Sequence, residues 1–165
     1  MKTIVICSGY FDPIGQHHLN YLKAAKELGD YLYVIVNSDK QALLKKGFSF
    51  QDEQFRSKLI SDLKYVTDVL LINDRFRDRD DLSVNNALKE LFETHKEFKF
   101  IFANGGDQKS GCREEEVCKK YGCEIVYGVG GEKTSSSTEI LKRYRDYIFE
   151  TEVNLHDVGC PYCGM

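Results

Sequence analysis

The chain has 165 residues, a formal net charge of −3, 42% hydrophobic residues and 30% charged ones. That is enough chain for one domain with its own core, in the proportions of an ordinary water-soluble protein. The slightly acidic balance excludes a general electrostatic affinity for nucleic acid or anionic membrane, and no apolar run approaches the ~18 residues of a membrane-crossing helix. Any site for a polyanion must therefore be a local concentration of positive charge.

Strand and helix signals then alternate along the chain. Residues 3–7 are a β-branched run that suits a buried strand, and it is too short for the apolar core of a signal peptide. A helix is predicted over 17–28, with Leu19, Leu22, Ala25 and Leu28 on one face and Gly29 as its stop. Residues 31–37 read as a second strand and 39–46 as a short helix ending at Gly47. The next helix, 52–63, places Phe55, Leu59, Ile60 and Leu63 on its apolar face. A third strand at 68–72 is followed by a charged loop over 73–81. Further on come a helix at 82–92, a strand at 98–103, a polar glycine-rich loop at 104–111, a helix at 114–121 and a strand at 124–127. Glycines at 128–131 break the chain before a last helix at 136–149.

This order predicts an α/β fold: a Rossmann-like, doubly wound, parallel five-stranded sheet with helices on both faces. Ligands in such sheets sit at the carboxyl ends of the strands, where strand order reverses. One domain, 1–149, is expected, with a tail over 150–165. A cytoplasmic location is expected, which makes the six cysteines reduced thiols or metal ligands. Cys7 suits a small buried apolar side chain. The tail ends in a Cys-Pro-Tyr-Cys-Gly knuckle in which Cys160 and Cys163 could bind zinc with His156. The fourth ligand would come from Cys112, Cys118, Cys123 or a second subunit.

The most informative stretch is Gly9-Tyr10-Phe11-Asp12-Pro13-Ile14-Gly15-Gln16-His17-His18, a glycine-bearing turn from the first strand into a helix. Unpaired N–H groups at that helix start can receive phosphate, and adjacent imidazoles can donate to its oxygens as charge builds on phosphorus. The segment resembles the G-x-F-D-x-x-H-x-G-H signature of the cytidylyltransferase-like nucleotidyltransferase superfamily. Gly9, Phe11, Asp12 and His18 fall on the pattern. Gly15 stands in place of the first signature histidine, and His17 in place of the glycine before the second.

Four later segments continue the resemblance in the family's order. Lys45, with Lys46 next to it, matches a lysine that reaches the nucleotide phosphates, and Arg56 matches the arginine that opens the following helix. Asn104, Gly105, Gly106 and Asp107 look like the loop that lies against the base. Ser135, Ser136, Ser137 and Thr138 look like the segment whose hydroxyls and helix start hold the β- and γ-phosphates. The resemblance implies transfer of a nucleotidyl group from CTP or ATP to a phosphorylated small molecule, releasing pyrophosphate, with Mg²⁺ bound through the triphosphate. In that scheme His18 and His17 stabilise the reacting phosphate, while Lys45 and Arg56 hold the triphosphate. CTP is the favoured donor, a homodimer is compatible, and no nucleic-acid or membrane partner is expected. The altered turn leaves open a silent nucleotide-binding or regulatory protein of the same fold.

Overall fold

The computed structural model describes residues 1–73, 82–106, 108–132 and 135–158, of which 151–158 by backbone alone. Five strands, β1 (Thr3–Gly9), β2 (Tyr31–Val36), β3 (Asp68–Leu71), β4 (Lys99–Gly105) and β5 (Glu124–Val129), form one sheet in the order β3-β2-β1-β4-β5. All neighbouring pairs are parallel. Six helices complete the chain: α1 (Gln16–Lys26), α2 (Asp39–Lys46), α3 (Glu53–Ser61), α4 (Asn85–Thr94), α5 (Glu115–Tyr121) and α6 (Ser137–Val158). The predicted doubly wound sheet is thus the observed one.

Burial on both faces explains why β1 reads as a nearly unbroken apolar run. Successive side chains point to opposite faces. Ile4 and Ile6 pack with Leu88, Phe92 and Cys118 on the α4–α5 side, while Val5 and Cys7 pack with Leu22, Ala25 and Ile60 on the α1–α3 side. Cys7 is fully buried, and burial pushes its thiol up to about 12, so it behaves as the expected small apolar side chain. Strand order reverses at β1 and β4, which places the crevice over Gly9 and Gly105.

Several local expectations change. The 17–28 helix stops at Lys26 with Glu27 as its cap, and Leu28 is exposed. Gly29 does not end the helix through a left-handed turn. A Cβ there would lie 2.7 Å from Val5 Cγ2 and 3.0 Å from the Thr3 carbonyl, so the glycine lets the chain pass close over β1. Gly47, by contrast, does close α2 in the left-handed conformation, with φ of 81°. In α3, Ile60 is buried as predicted, with Leu63 just beyond the helix packed against the same core, but Phe55 is exposed while Arg56 is buried. Gly128 does not break β5: it takes φ of 70° inside the strand, opposite a register shift at Ala103 and Gly105. The helix predicted over 136–149 continues as α6 to Val158, through residues assigned to the tail.

Candidate active site

Two cavities open at the carboxyl ends of β1 and β4. The first, about 360 Å³, is lined by Gly9, Tyr10 and Phe11 of the β1 turn and by His17 and His18 of α1. Lys45 and Lys46 of α2, Asn104, Gly105 and Gly106 after β4, and Ser136, Ser137 and Thr138 at the start of α6 also line it. Four of the five segments predicted separately thus converge, Arg56 being the exception. Asp107 lies outside the described residues.

The turn is built around Phe11, which is 2% exposed and adopts φ of 52°, a conformation costly for an aromatic residue. Its ring fills the space above Gly9, where a Cβ would come within 3.0 Å of Phe11 Cζ. The same ring meets His18 edge-on at 5.2 Å between centroids. His18 is the third residue of α1, and its Nδ1 accepts the Gly15 N–H at 3.0 Å. That is the backward half of a capping box, with imidazole in the place of Glu or Gln. With Nδ1 accepting, the neutral ring carries its proton on Nε2, which becomes the donor for a ligand.

His17 lies 3.8 Å from His18 between ring centroids, so two imidazoles line the cavity although the signature's first histidine is missing. Gly15 does not line it. A Cβ at Gly15 would lie 2.9 Å from Ile140 Cδ1 and 3.2 Å from His17 Nδ1, so α6 and His17 occupy the space a side chain would need.

The lysines sit on an aromatic platform. Lys45 Nζ is 4.9 Å and Lys46 Nζ 5.0 Å from the Tyr10 ring centroid, within cation–π range. Burial lowers the Lys46 pKa and raises that of Tyr10. At the start of α6, Ser136 Oγ accepts the Glu139 N–H while Glu139 Oε2 accepts the Ser136 N–H, a complete capping box. Ser137 Oγ donates to the Pro13 carbonyl at 3.0 Å, tying α6 to the β1 turn. Ser135 is not in the lining.

Two predicted ligand residues belong beneath the cavity instead. Asp12 is 1% exposed, and its carboxylate accepts the Phe50 and Gln51 N–H groups at 2.9 and 2.7 Å. Arg56 has a fully buried side chain. Its Nη1 donates to the Tyr10 and Asn37 carbonyls, its Nε to the Gln51 carbonyl and its Nη2 to Asp39 Oδ1 at 2.7 Å. Burial pushes the Asp39 carboxyl up, but hydrogen bonds from Ser49 and Arg56 outweigh it and hold the group below its ordinary value. Arg56 therefore ties the β1 turn, the end of β2 and the 47–51 loop together, and does not line the cavity.

Sequence reasoning missed Tyr21 and Gly130. Tyr21 lines the cavity from α1 and donates to the Ala103 carbonyl at 2.6 Å. A Cβ at Gly130, where φ is 87°, would lie 2.6 Å from Tyr21 Cα, so the turn after β5 and α1 touch backbone to backbone. The Gly-rich 128–131 stretch was the available signal, but nothing local says which helix it approaches. Gly130→Ala must push α1 aside and hold a left-handed alanine. It is expected to cost about 2–4 kcal/mol, read by urea denaturation.

The second cavity, about 390 Å³, lies toward α4 and α5 and shares Ser8, Gly9, Tyr10, Lys45 and Asn104 with the first. Its lining includes Glu114, only 9% exposed, which accepts the Val84 N–H at 3.4 Å. Burial raises the Glu114 pKa. A raised carboxyl contributes stability below its unfolded value near pH 4.3 and loses it as pH rises through the folded value. Glu114→Gln removes that loss, so the variant is expected to match wild type near pH 4 and melt higher at pH 7–8.

Cys112, Cys118 and Cys123 pack in the core on the α4–α5 side. Among the described residues no group of three or more His, Cys, Asp or Glu could hold a metal. Cys160 and Cys163 lie outside the described residues, and His156 is described by its backbone alone. No helix among the described residues is long and apolar enough to cross a membrane.

The family model for cytidylyltransferase-like proteins matches residues 6–154. The bifunctional protein HldE of Trichlorobacter lovleyi is 30% identical over 151 residues, covering 88% of this chain and 28% of that protein. The chain thus spans little more than a quarter of that relative's length. Glycerol-3-phosphate cytidylyltransferase of Bacillus subtilis is 29% identical, covering 74% of this chain and 83% of that protein. Among solved structures, a lipopolysaccharide core biosynthesis protein of Thermoplasma volcanium superposes with a TM-score of 0.58 at 30% identity, covering 77% of this chain and 96% of that one.

Proposed function

The chain belongs to the cytidylyltransferase-like family, and on that premise we propose that it transfers CMP or AMP from a nucleoside triphosphate to a phosphorylated small molecule. The observation that carries this reading is the convergence of His17, His18, Lys45, Lys46 and the α6 start on one cavity. An acceptor phosphate oxygen attacks the α-phosphorus, a new P–O bond forms, and the Pα–O bond to the β-phosphate breaks with its electron pair leaving on pyrophosphate. The acceptor oxygen is already anionic, so the protein supplies positioning and charge neutralisation in place of a strong base.

In this mechanism His18 donates from Nε2 to a non-bridging α-phosphate oxygen, and His17 takes the part of the missing signature histidine. Lys45 and Lys46, fixed over Tyr10, face the triphosphate, whose terminal phosphates lie at Ser136–Thr138. Glycines 105 and 106 let the base approach the backbone. Asp12 and Arg56 act as positioning residues. Glu132 is the one carboxylate in the described lining of this cavity, so Mg²⁺ would be held mainly by the triphosphate oxygens and would supply charge neutralisation there.

CTP leads as donor because the similarity to glycerol-3-phosphate cytidylyltransferase extends over most of both chains. Glycine at position 15 favours the rival, a nucleotide-binding protein that does not turn over. Pyrophosphate release with CTP or ATP and Mg²⁺ across a panel of phosphorylated acceptors separates the two. Release is expected with at least one acceptor, and nucleotide binding with no release from any of them gives the case to the rival.

A further inference from the structure

Helix α6 begins against the β1 turn, where Ser137 bonds the Pro13 carbonyl and Ile140 lies against Gly15. Beyond its first turn it stands largely in solvent: from Lys142 to Glu150 every residue but Asp146 is exposed. That exposed stretch is amphipathic. Tyr144, Tyr147 and Ile148 are 57%, 64% and 39% exposed, and with the half-buried Ile140 and Leu141 they fall within one stripe at helical spacing. The helical backbone carries the same register on to Leu155 and Val158. The three exposed side chains alone bare on the order of 300 Å², the scale at which an apolar patch marks an interaction surface. Most helical stability comes from packing an amphipathic face, and here that face meets water.

The charges beside the stripe identify what covers it. One flank carries Arg143 and, seven residues on, Glu150; the other carries Arg145 and, seven residues on, Glu152. Arg145 also bonds its neighbour Asp146 at 2.8 Å, which leaves the Arg143 flank as the clearer one. Each flank thus runs from basic to acidic along the helix. A second α6 laid antiparallel reverses that order, so basic meets acidic on both flanks, whereas a parallel copy sets like charge beside like. An anionic membrane fits less well, since Lys142, Arg143 and Arg145 are outnumbered by Asp146, Glu150, Glu152 and Asp157 over the same stretch.

We infer that α6 is the docking surface for a second copy of this chain, the two helices packing antiparallel along the Tyr144–Ile148 stripe with Arg143 of each copy beside Glu150 of the other. The contact is isologous, so it closes at two copies. It also braces the helix whose start, Ser136–Thr138, lines the first cavity.

Sedimentation equilibrium of the full chain from about 1 to 200 μM tests this; so small an interface is expected to give a dimer with Kd on the order of 10 μM. Ile148→Asp and Tyr144→Asp each put a carboxylate in the stripe. Both are expected to stay monomeric over that range, and to melt like wild type at a concentration where all three are monomers. Arg143→Glu and Glu150→Arg are each expected to weaken the dimer about tenfold, because two symmetric contacts then join like charges. An equimolar mixture of these two variants restores opposite charges at both contacts and is expected to dimerise as wild type does. The inference is overturned if wild type is monomeric at the highest concentration, if the dimer survives both Asp substitutions, or if the mixture dimerises no better than either variant alone. Binding of the monomer to anionic phospholipid vesicles, lost in Ile148→Asp, gives the stripe to a membrane and overturns it as well.

Discussion

Alanine at His18 is expected to lower kcat about 10²- to 10³-fold, the usual cost of removing one preorganised donor from a developing charge. The effect is expected in kcat more than in KM, because the Nε2 donor matters most as charge shifts onto the α-phosphate oxygens. The Gly15 N–H loses its acceptor at the same time, which costs about 1 kcal/mol as for other helix caps. A melting curve with a small downward shift beside a large loss of pyrophosphate release is therefore the expected pair of results. Near-normal turnover would remove His18 from the chemistry. His17→Ala is expected to fall in the same range if His17 fills the place of the missing histidine. Its ring packs against that of His18 at a tilt of 40°, so the double variant should lose less than the product of the two single losses.

Arg56→Met is expected to destabilise the protein by about 3–5 kcal/mol, since it strands three backbone carbonyls and a carboxylate that the guanidinium now satisfies. For a chain of this size the melting temperature should drop by roughly 10 °C or more. Arg56→Lys should recover only part of this, because one ammonium cannot span the planar fork. The pH dependence gives a second readout. The depressed Asp39 carboxyl contributes stability above its unfolded value near pH 3.9, and that contribution is lost as pH falls through the lower folded value. Without Arg56 the acid limb should move to higher pH. An Arg56→Met protein with wild-type stability would show that the guanidinium is dispensable and restore it as a candidate phosphate ligand.

Much of the fold was legible because its signals are local. The β-branched run at 3–7, the helix starts at 39 and 52 and the Gly47 stop each depend on a few neighbouring residues, and all appear in the structure to within a residue. The glycine-bearing turn after β1 was legible in the same way. Of the predicted α3 face, Ile60 and Leu63 do pack in the core, but Phe55 was misread because apolar periodicity reports where hydrophobic side chains fall, and at that turn the charged Arg56 is buried in its stead. Burial of Arg56 is compensated by acceptors at Tyr10, Asn37, Asp39 and Gln51, most of them distant in sequence. The same limit hid Tyr21, whose partners arrive from β4 and β5.

The sequence by itself determined the alternation of strands and helices, the turn after β1 and the set of segments from which the cavity is drawn. Each is encoded in short-range chemistry: side-chain period, capping residues, and glycines and hydroxyls at a helix start. Only the tertiary structure decided which of those residues line the cavity. It set the His17 and His18 rings in the lining and left Gly15 outside it, and it moved Asp12 and Arg56 from the cavity to its foundation. It also opened a second cavity behind Tyr10, between residues some seventy to a hundred positions apart. The physical reason is common to all three. A polar group's role is fixed by which acceptors and charges the fold brings within hydrogen-bonding reach, and chain spacing does not specify that.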